Sequence, residues 1–377
     1  MLGSVDDGVP VLDTKSGRRR RLLMPLFVAI IVGIIAIIMV NSGRQTEVIG
    51  AGSTLAQPLI VQSANAFRNA QTADNPDRPT QTGNDWVLSG QGISYEPVGS
   101  LGGIMRLSEP DVDFAVADYP LSAEALTERD AVQFPIAAGA IAVAHNLDIP
   151  DNAPLRLDAA TLSAIYRGDI TSWNDPALVA LNPDLALPEL AIDPIHRSDG
   201  SGSTYGFTSY LATGSPDWDL GTATTLTWPT GTGVERSSGM LTALAERPGA
   251  IGYVEAGQTV RAGLRTVELL NAGGAFTGPT PEAMSAAVSD VSWSADDNFA
   301  SSVPEVTDPA AYPMTVAIYA MLRREQTSDT PRTLAYLNYL LDRYDTEASD
   351  LGYLPLPTAA VTAVHGYWQD VFDYRAV

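Results

Sequence analysis

Apolar residues follow distinct patterns along the chain, and each pattern predicts a different element. The first is an unbroken run over residues 22–40, "LLMPLFVAIIVGIIAIIMV". Nineteen uncharged residues in a helix span roughly 28 Å, close to the thickness of a bilayer core. The second is a short strand-like run, a Ser/Gly loop, and then helical spacing. In "VIGAGSTLAQPLIVQSANAF", Val48 and Ile49 end a strand and residues 50–54 form a tight loop. Leu55, Leu59, Ala66 and Phe67 then recur at helical spacing, with Ser53 or Thr54 as N-cap. Pro58 falls in the first turn, where proline is tolerated. The same order returns in "GISYEPVGSLGGIMRL", a strand over 93–98 and a helix from about Leu101, and in "LAIDPIHRSDGSGSTYGFTSYLA". "VDFAVADYPLS" predicts a strand over 112–117 that ends at Asp118.

Strands alternating with helices indicate an α/β fold. The 377 residues exceed what one hydrophobic core usually serves, so two globular units are expected. A late strand-like run, "YPMTVAIYAML" over 312–322, precedes a predicted helix, "PRTLAYLNYLLDRY". A return strand of this kind completes an earlier domain. The expected organisation is therefore discontinuous: lobe I from 48–136 and 312–377, lobe II from 137–311, with crossings near Pro135 and Pro313.

The N-terminus sets the compartment. Arginines 18–21 precede the apolar run and belong on the cytoplasmic side, which sends the C-terminal bulk outward. This predicts a cytoplasmic segment 1–21, a transmembrane anchor or uncleaved signal 22–40, and a polar linker 41–47. A cleaved signal peptide is the alternative, but the run is longer than the usual apolar region of about 7–15 residues and no A-x-A site follows. In either case the rest of the chain is exported.

Charge and composition then exclude several function classes. A net charge of -22 argues against a nucleic-acid face, which requires clustered Lys and Arg. The absence of cysteine removes disulfides, thiolate-bound zinc and a thiol nucleophile. His145, His196 and His365 are the only histidines and show no paired ligand spacing, so no metal or cofactor is expected. G-x-S-x-G and G-x-x-x-x-G-K-[ST] are both absent. A triad of Ser201, His196 and Asp199 would lie within one short loop, which can hardly arrange nucleophile, base and orienter.

What remains is a donor-rich set. The loops at Gly52-Ser53-Thr54, Gly99-Ser100-Leu101-Gly102 and Gly200-Ser201-Gly202-Ser203 each open a predicted helix. Helix N-termini carry free N–H groups and partial positive charge, and glycine lets the backbone approach an anion. Taken singly, each loop also reads as plain capping. Arg197, just before the third loop, adds a planar fork for a carboxylate or phosphate; a surface ion pair with Asp199 is its plainer reading. Asp118 fits beside an anion only if that anion carries a proton to donate; otherwise it reads as a turn cap before Pro120.

In this order, "GAGST", "YEPVGSLGG", "VDFAVADYPLS", "QFPIAAGA", "LSAIYRGDITSWND", "RSDGSGST", "FTSYL", and "WPTGTG" with "PGAIGYVE" resemble the phosphate-binding receptors of bacterial phosphate ABC transporters. The resemblance runs from Val48 to the C-terminus and is specific as a set rather than motif by motif. It implies a two-lobed periplasmic binding protein of the type II, Venus-flytrap kind, here with one N-terminal transmembrane helix. It further implies phosphate contacts from Thr54, the Leu55 N–H, Ser100, Asp118, Arg197, Ser201, Gly202 and Ser203, with Asp199 restraining Arg197 without touching ligand. Leu55 and Ser203 stand where the family often has an aromatic residue and threonine. The implied activity is binding and delivery to permease subunits in the inner membrane, not catalysis. The implied location is the inner membrane, single-pass, with the globular part in the periplasm. The N-terminal helix is the departure from a freely diffusing receptor. It keeps open a second reading, an accessory or sensory subunit of another membrane complex. A phosphoester hydrolase is a third, for which no nucleophile or metal set is found.

Overall fold

A computed structural model describes residues 48–73, 92–150, 154–289, 291–300 and 307–376. The segments expected as cytoplasmic (1–21), transmembrane (22–40) and linker (41–47) lie outside the described residues. Among the described residues, no helix is long and apolar enough to cross a membrane.

Among the described residues there are eleven strands: β1 Val48–Gly52, β2 Ile93–Glu96, β3 Phe114–Ala117, β4 Ala131–His145, β5 Leu155–Leu157, β6 Asp193–Arg197, β7 Thr232–Val234, β8 Ala250–Glu255, β9 Arg265–Leu270, β10 Phe276–Thr277 and β11 Thr315–Arg323. They run in the order β2-β1-β3-β11-β4-β8-β6-β7, with β9 also pairing β4, β5 and β10. The long strand β4 joins two regions. Its residues from Ala131 to Ala140 pair antiparallel with β11, and its residues from Ile141 to His145 pair antiparallel with β8. One lobe is thus β2, β1, β3 and β11 with the first part of β4. The other is the end of β4 with β8, β6, β7 and the β9 group. The partner change at Ala140 and Ile141 lies just past the crossing expected near Pro135. All fifteen residues of β4 are buried, so apart from Gln133 and His145 it reads as an apolar run rather than an alternating one. The ladder with β11 slips between Ile318 and Tyr319, opposite Pro135, which has no N–H to give.

The return element is the strand β11, followed by the helix Thr330–Arg343. Leu334, Leu337, Leu340 and Leu341 form its buried stripe at helical spacing. Aromatic rings fill the first lobe's core: Phe114 packs on Tyr95 and Tyr336, and Phe134 meets Trp368 edge-on. In the other lobe Phe207 stacks on Tyr253 with ring centres 4.4 Å apart.

The strand-loop-helix units differ from expectation in length. Residues 50–52 belong to β1 rather than to a loop. They pair with β2 on one edge and β3 on the other, and the Phe114 ring lies where a Gly50 side chain would be. The first helix accordingly starts at Gln57 instead of Leu55, with Ser53 Oγ accepting from the Ala56 N–H at 3.1 Å. β2 stops at Glu96 and β3 starts at Phe114, each shorter by two residues than the pattern suggests.

Candidate functional site

The loops following β1 and β6, the C-terminal end of β3 and the N-terminus of the helix Ser100–Arg106 converge. β1 and β3 are parallel neighbours in one lobe, and β6 runs parallel to β8 in the other. Sites in α/β sheets form outside the carboxyl ends of such strands, where the following loops and helix N-termini point.

Close backbone approach brings the two sides together. Gly99 has φ +83°, and a Cβ on it would lie 2.5 Å from the Gly200 carbonyl oxygen. Only glycine meets both demands. The Leu101 N–H donates to that same Gly200 carbonyl at 3.3 Å, across the lobes. Gly202 opens the helix Gly202–Gly214, and a Cβ there would meet Asp118 Oδ2 and Ser100 Oγ at 2.5 Å. Tyr119 and Tyr205 stack across the same gap with ring centres 4.6 Å apart.

The residues expected to contact ligand are all buried, while Asp199 is half-buried. Thr54, Leu55, Ser100 and Asp118 lie on the first lobe, and Arg197, Ser201, Gly202 and Ser203 on the second. Ser100 Oγ donates to Asp118 Oδ2 at 3.2 Å. Burial pushes the Asp118 carboxyl up to about 6, against the hydroxyls of Ser53 and Ser100 and the charge of Arg197. Asp118 Oδ1 and Ser203 Oγ are buried without a hydrogen-bond partner among the described residues. Such groups cost free energy unless something satisfies them, so they mark the centre of a polar site.

Arg197 is placed by its own lobe. It ends β6, its N–H donates to Tyr253 Oη at 3.1 Å, and its guanidinium pairs with Asp199 through Nε at 2.6 Å and through Nη2. Burial alone would raise the Asp199 carboxyl; the Arg197 pair and the Arg236 N–H outweigh that and hold it below its ordinary range. Ser201 is the N-cap of the helix Gly202–Gly214, its Oγ accepting from the Thr204 N–H at 3.3 Å.

The geometry favours binding over bond-breaking. His196 stacks flat on Trp228 with centres 5.0 Å apart and does not approach Ser201 Oγ within hydrogen-bond distance. His145 is buried and pushed down to about 4 by burial and by Arg265. No cluster of His, Asp and Glu able to hold a metal occurs among the described residues.

A family model for the PBP superfamily domain matches residues 40–343. The phosphate-binding protein PstS of Xylella fastidiosa (strain 9a5c) is 33% identical over 334 residues, 87% of this chain and 86% of that protein. The PstS of Haemophilus influenzae is 32% identical over 332 residues, 86% of this chain and 93% of that protein. The chain belongs to the family of phosphate-binding receptors of bacterial phosphate transporters. The fold agrees: a putative phosphate transporter substrate-binding protein from Clostridium perfringens superposes with a TM-score of 0.57 at 18% identity, covering 82% of this chain and all of that one. Receptors of this family carry a ligand and are not enzymes. This accords with hydroxyls that cap helices and pair with carboxylates.

Some residues of this receptor's cleft escaped the sequence reading. Ser237 Oγ lies 2.9 Å from Thr54 Oγ1, and Gln258 Nε2 donates to the Thr54 carbonyl at 3.2 Å. Tyr253 holds both Arg197 and Thr204. The one available signal was "VERSSG", another Ser/Gly stretch, which runs from the end of a strand into the first turn of a helix.

Proposed function

We propose that the protein is an extracytoplasmic receptor that binds inorganic phosphate between its lobes and delivers it to an ABC importer. In this reading lobe I comprises 48–136 and 312–377 and lobe II comprises 137–311, hinged where β4 changes partners. Thr54, the Leu55 N–H, Ser100, Ser201, Gly202 and Ser203 act as donors, and Arg197, held by Asp199, supplies charge. Donors at contact distance in a dry site outweigh the screened field of a surface with net charge -22. The apolar run 22–40 tethers the receptor to the inner membrane, with its globular part in the periplasm.

The observation that carries the reading is the Asp118 carboxyl. It is buried, its Oδ1 has no partner among the described residues, and it sits among donors. A carboxylate at the centre of an anion site suits a ligand that brings its own proton. Phosphate near neutral pH keeps at least one; sulfate has none and would meet Asp118 as a like charge. Calorimetric titration of the full-length chain with phosphate and with sulfate tests this, with Asp118→Asn alongside. The reading fails if wild type binds neither ion, or binds both equally.

The N-terminal run also favours a second reading, an accessory subunit of another membrane complex. Co-purification separates the two: permease subunits of a phosphate importer support the first, and a different complex the second.

A further inference from the structure

Thr54 sits on the first lobe, but the second lobe holds it at two points. Its hydroxyl oxygen meets Ser237 Oγ at 2.9 Å, with both residues buried. Its carbonyl accepts from Gln258 Nε2 at 3.2 Å. Ser237 lies in the first turn of the helix Arg236–Glu246, and Gln258 in the helix Ala256–Arg261.

Each holder is itself anchored. The Arg236 N–H donates to Asp199 Oδ1 at 3.1 Å, the same oxygen that accepts from Arg197 Nε. Arg236 has φ +62°, a left-handed conformation disfavoured for an L-residue. The turn presenting Ser237 is therefore tied to the guanidinium site and not left to its own preference. The Gln258 N–H donates to Glu255 Oε2 at 2.8 Å, and Glu255 caps that helix.

A hydroxyl has one proton. When the Thr54 proton goes to a bound anion, Thr54 Oγ1 is left to accept, and Ser237 is the donor beside it. The order is then Ser237 to Thr54 to anion, each bond polarising the next. We infer that Ser237 and Gln258 form a cross-cleft latch on Thr54, which aims its hydroxyl at the ligand and slows opening of the closed cleft. The inference rests on the phosphate-receptor reading. Both are positioning residues: they act through Thr54. A contact made only when the lobes meet raises the closed population, and its effect falls on release more than on encounter.

Stopped-flow binding and release of inorganic phosphate by the full-length chain tests the latch. Loss of one neutral hydrogen bond predicts that Ser237→Ala speeds release by about threefold to tenfold, with little change in association. The phosphate-to-sulfate preference stays as in wild type, because Asp118 sets it. Ser237→Thr restores slow release. In a Thr54→Val background, Ser237→Ala adds less than about twofold, because the group it acts on is gone. Gln258→Ala speeds release independently and carries the test if the Ser237 variant does not fold. Unchanged release in both Ser237→Ala and Gln258→Ala, or full additivity with Thr54→Val, overturns the latch. A wild-type chain that ignores phosphate overturns the receptor reading and the latch with it.

Discussion

The two halves of the cleft are built on opposite principles. On the second lobe Arg197 is paired in place: Asp199 takes Nε and Nη2, and Tyr253 takes the backbone N–H. On the first lobe Asp118 has the Ser100 hydroxyl on one oxygen and no partner among the described residues on the other, and burial pushes it up to about 6. One half is a balanced ion pair presented as a rigid donor. The other is a carboxylate left short of partners. A paired cation supplies attraction for any small anion, whereas an underbonded acid rewards only an anion that can donate to it. In the proposed phosphate-receptor reading, the difference assigns affinity to the second lobe and choice of ligand to the first.

Two substitutions attack that division at its ends. Asp118→Asn has the largest expected effect, on selectivity. Asparagine can donate to sulfate, so the phosphate preference should fall by at least about a thousandfold, as for sites that lose the group that left a wrong ligand unpaired. Competition calorimetry reads it, and an unchanged ratio removes Asp118 as the selector. Arg197→Ala comes next, on affinity. It removes the buried cation and leaves the half-buried Asp199 with only the Arg236 N–H, so phosphate binding should weaken by about a hundredfold or more. The phosphate-to-sulfate ratio should barely move. A drop in that ratio would mean that the two lobes do not divide the task.

Much of the site was legible because its signals are local. A strand end, a Ser/Gly loop and a helix start occupy about ten consecutive positions, and the turn residues announce themselves. The strand β1 was read short because "GAG" looks like a loop. What makes it a strand is the Phe114 ring lying over Gly50, and Phe114 is far away in sequence. The cross-cleft contacts were illegible for the same reason. Ser237 meets Thr54, and Gln258 Nε2 donates to the Thr54 carbonyl at 3.2 Å, only because β4 carries the chain from one lobe to the other. Nothing within either short segment encodes its partner. The short strands β5, β7 and β10 also left no period long enough to read.

A smaller effect separates binding from stability on the second lobe. Ser203 Oγ is buried without a partner among the described residues, so its hydroxyl is a cost to the free protein that a ligand relieves. Ser203→Ala should weaken phosphate binding by about threefold to thirtyfold while leaving the melting temperature of the free protein equal or slightly higher. Loss of both together would mean that Ser203 supports the fold instead of the ligand.

The smallest effect concerns the first lobe and pH. An acid whose folded value is raised gives the native state its full relative stability below the unfolded value, about 4, and loses it as pH rises through the folded value. For Asp118 that folded value is about 6, so the ligand-free protein should gain stability as pH falls from 7 to 5, by about 1 kcal/mol. In a protein of this size that is about 2 °C in melting temperature. Glu255, pushed up to about 7 by burial against two N–H bonds and Arg261, titrates in the same window. It is present in both wild type and Asp118→Asn, so the difference between their melting curves isolates Asp118. In phosphate-free buffer, wild type should gain on the variant between pH 7 and 5. Saturating phosphate should shrink that gain, because the bound ligand satisfies the carboxylate in its charged form. Parallel curves for wild type and variant would show that the Asp118 carboxyl is not held underbonded, and the contrast between the two halves of the cleft would fall with it.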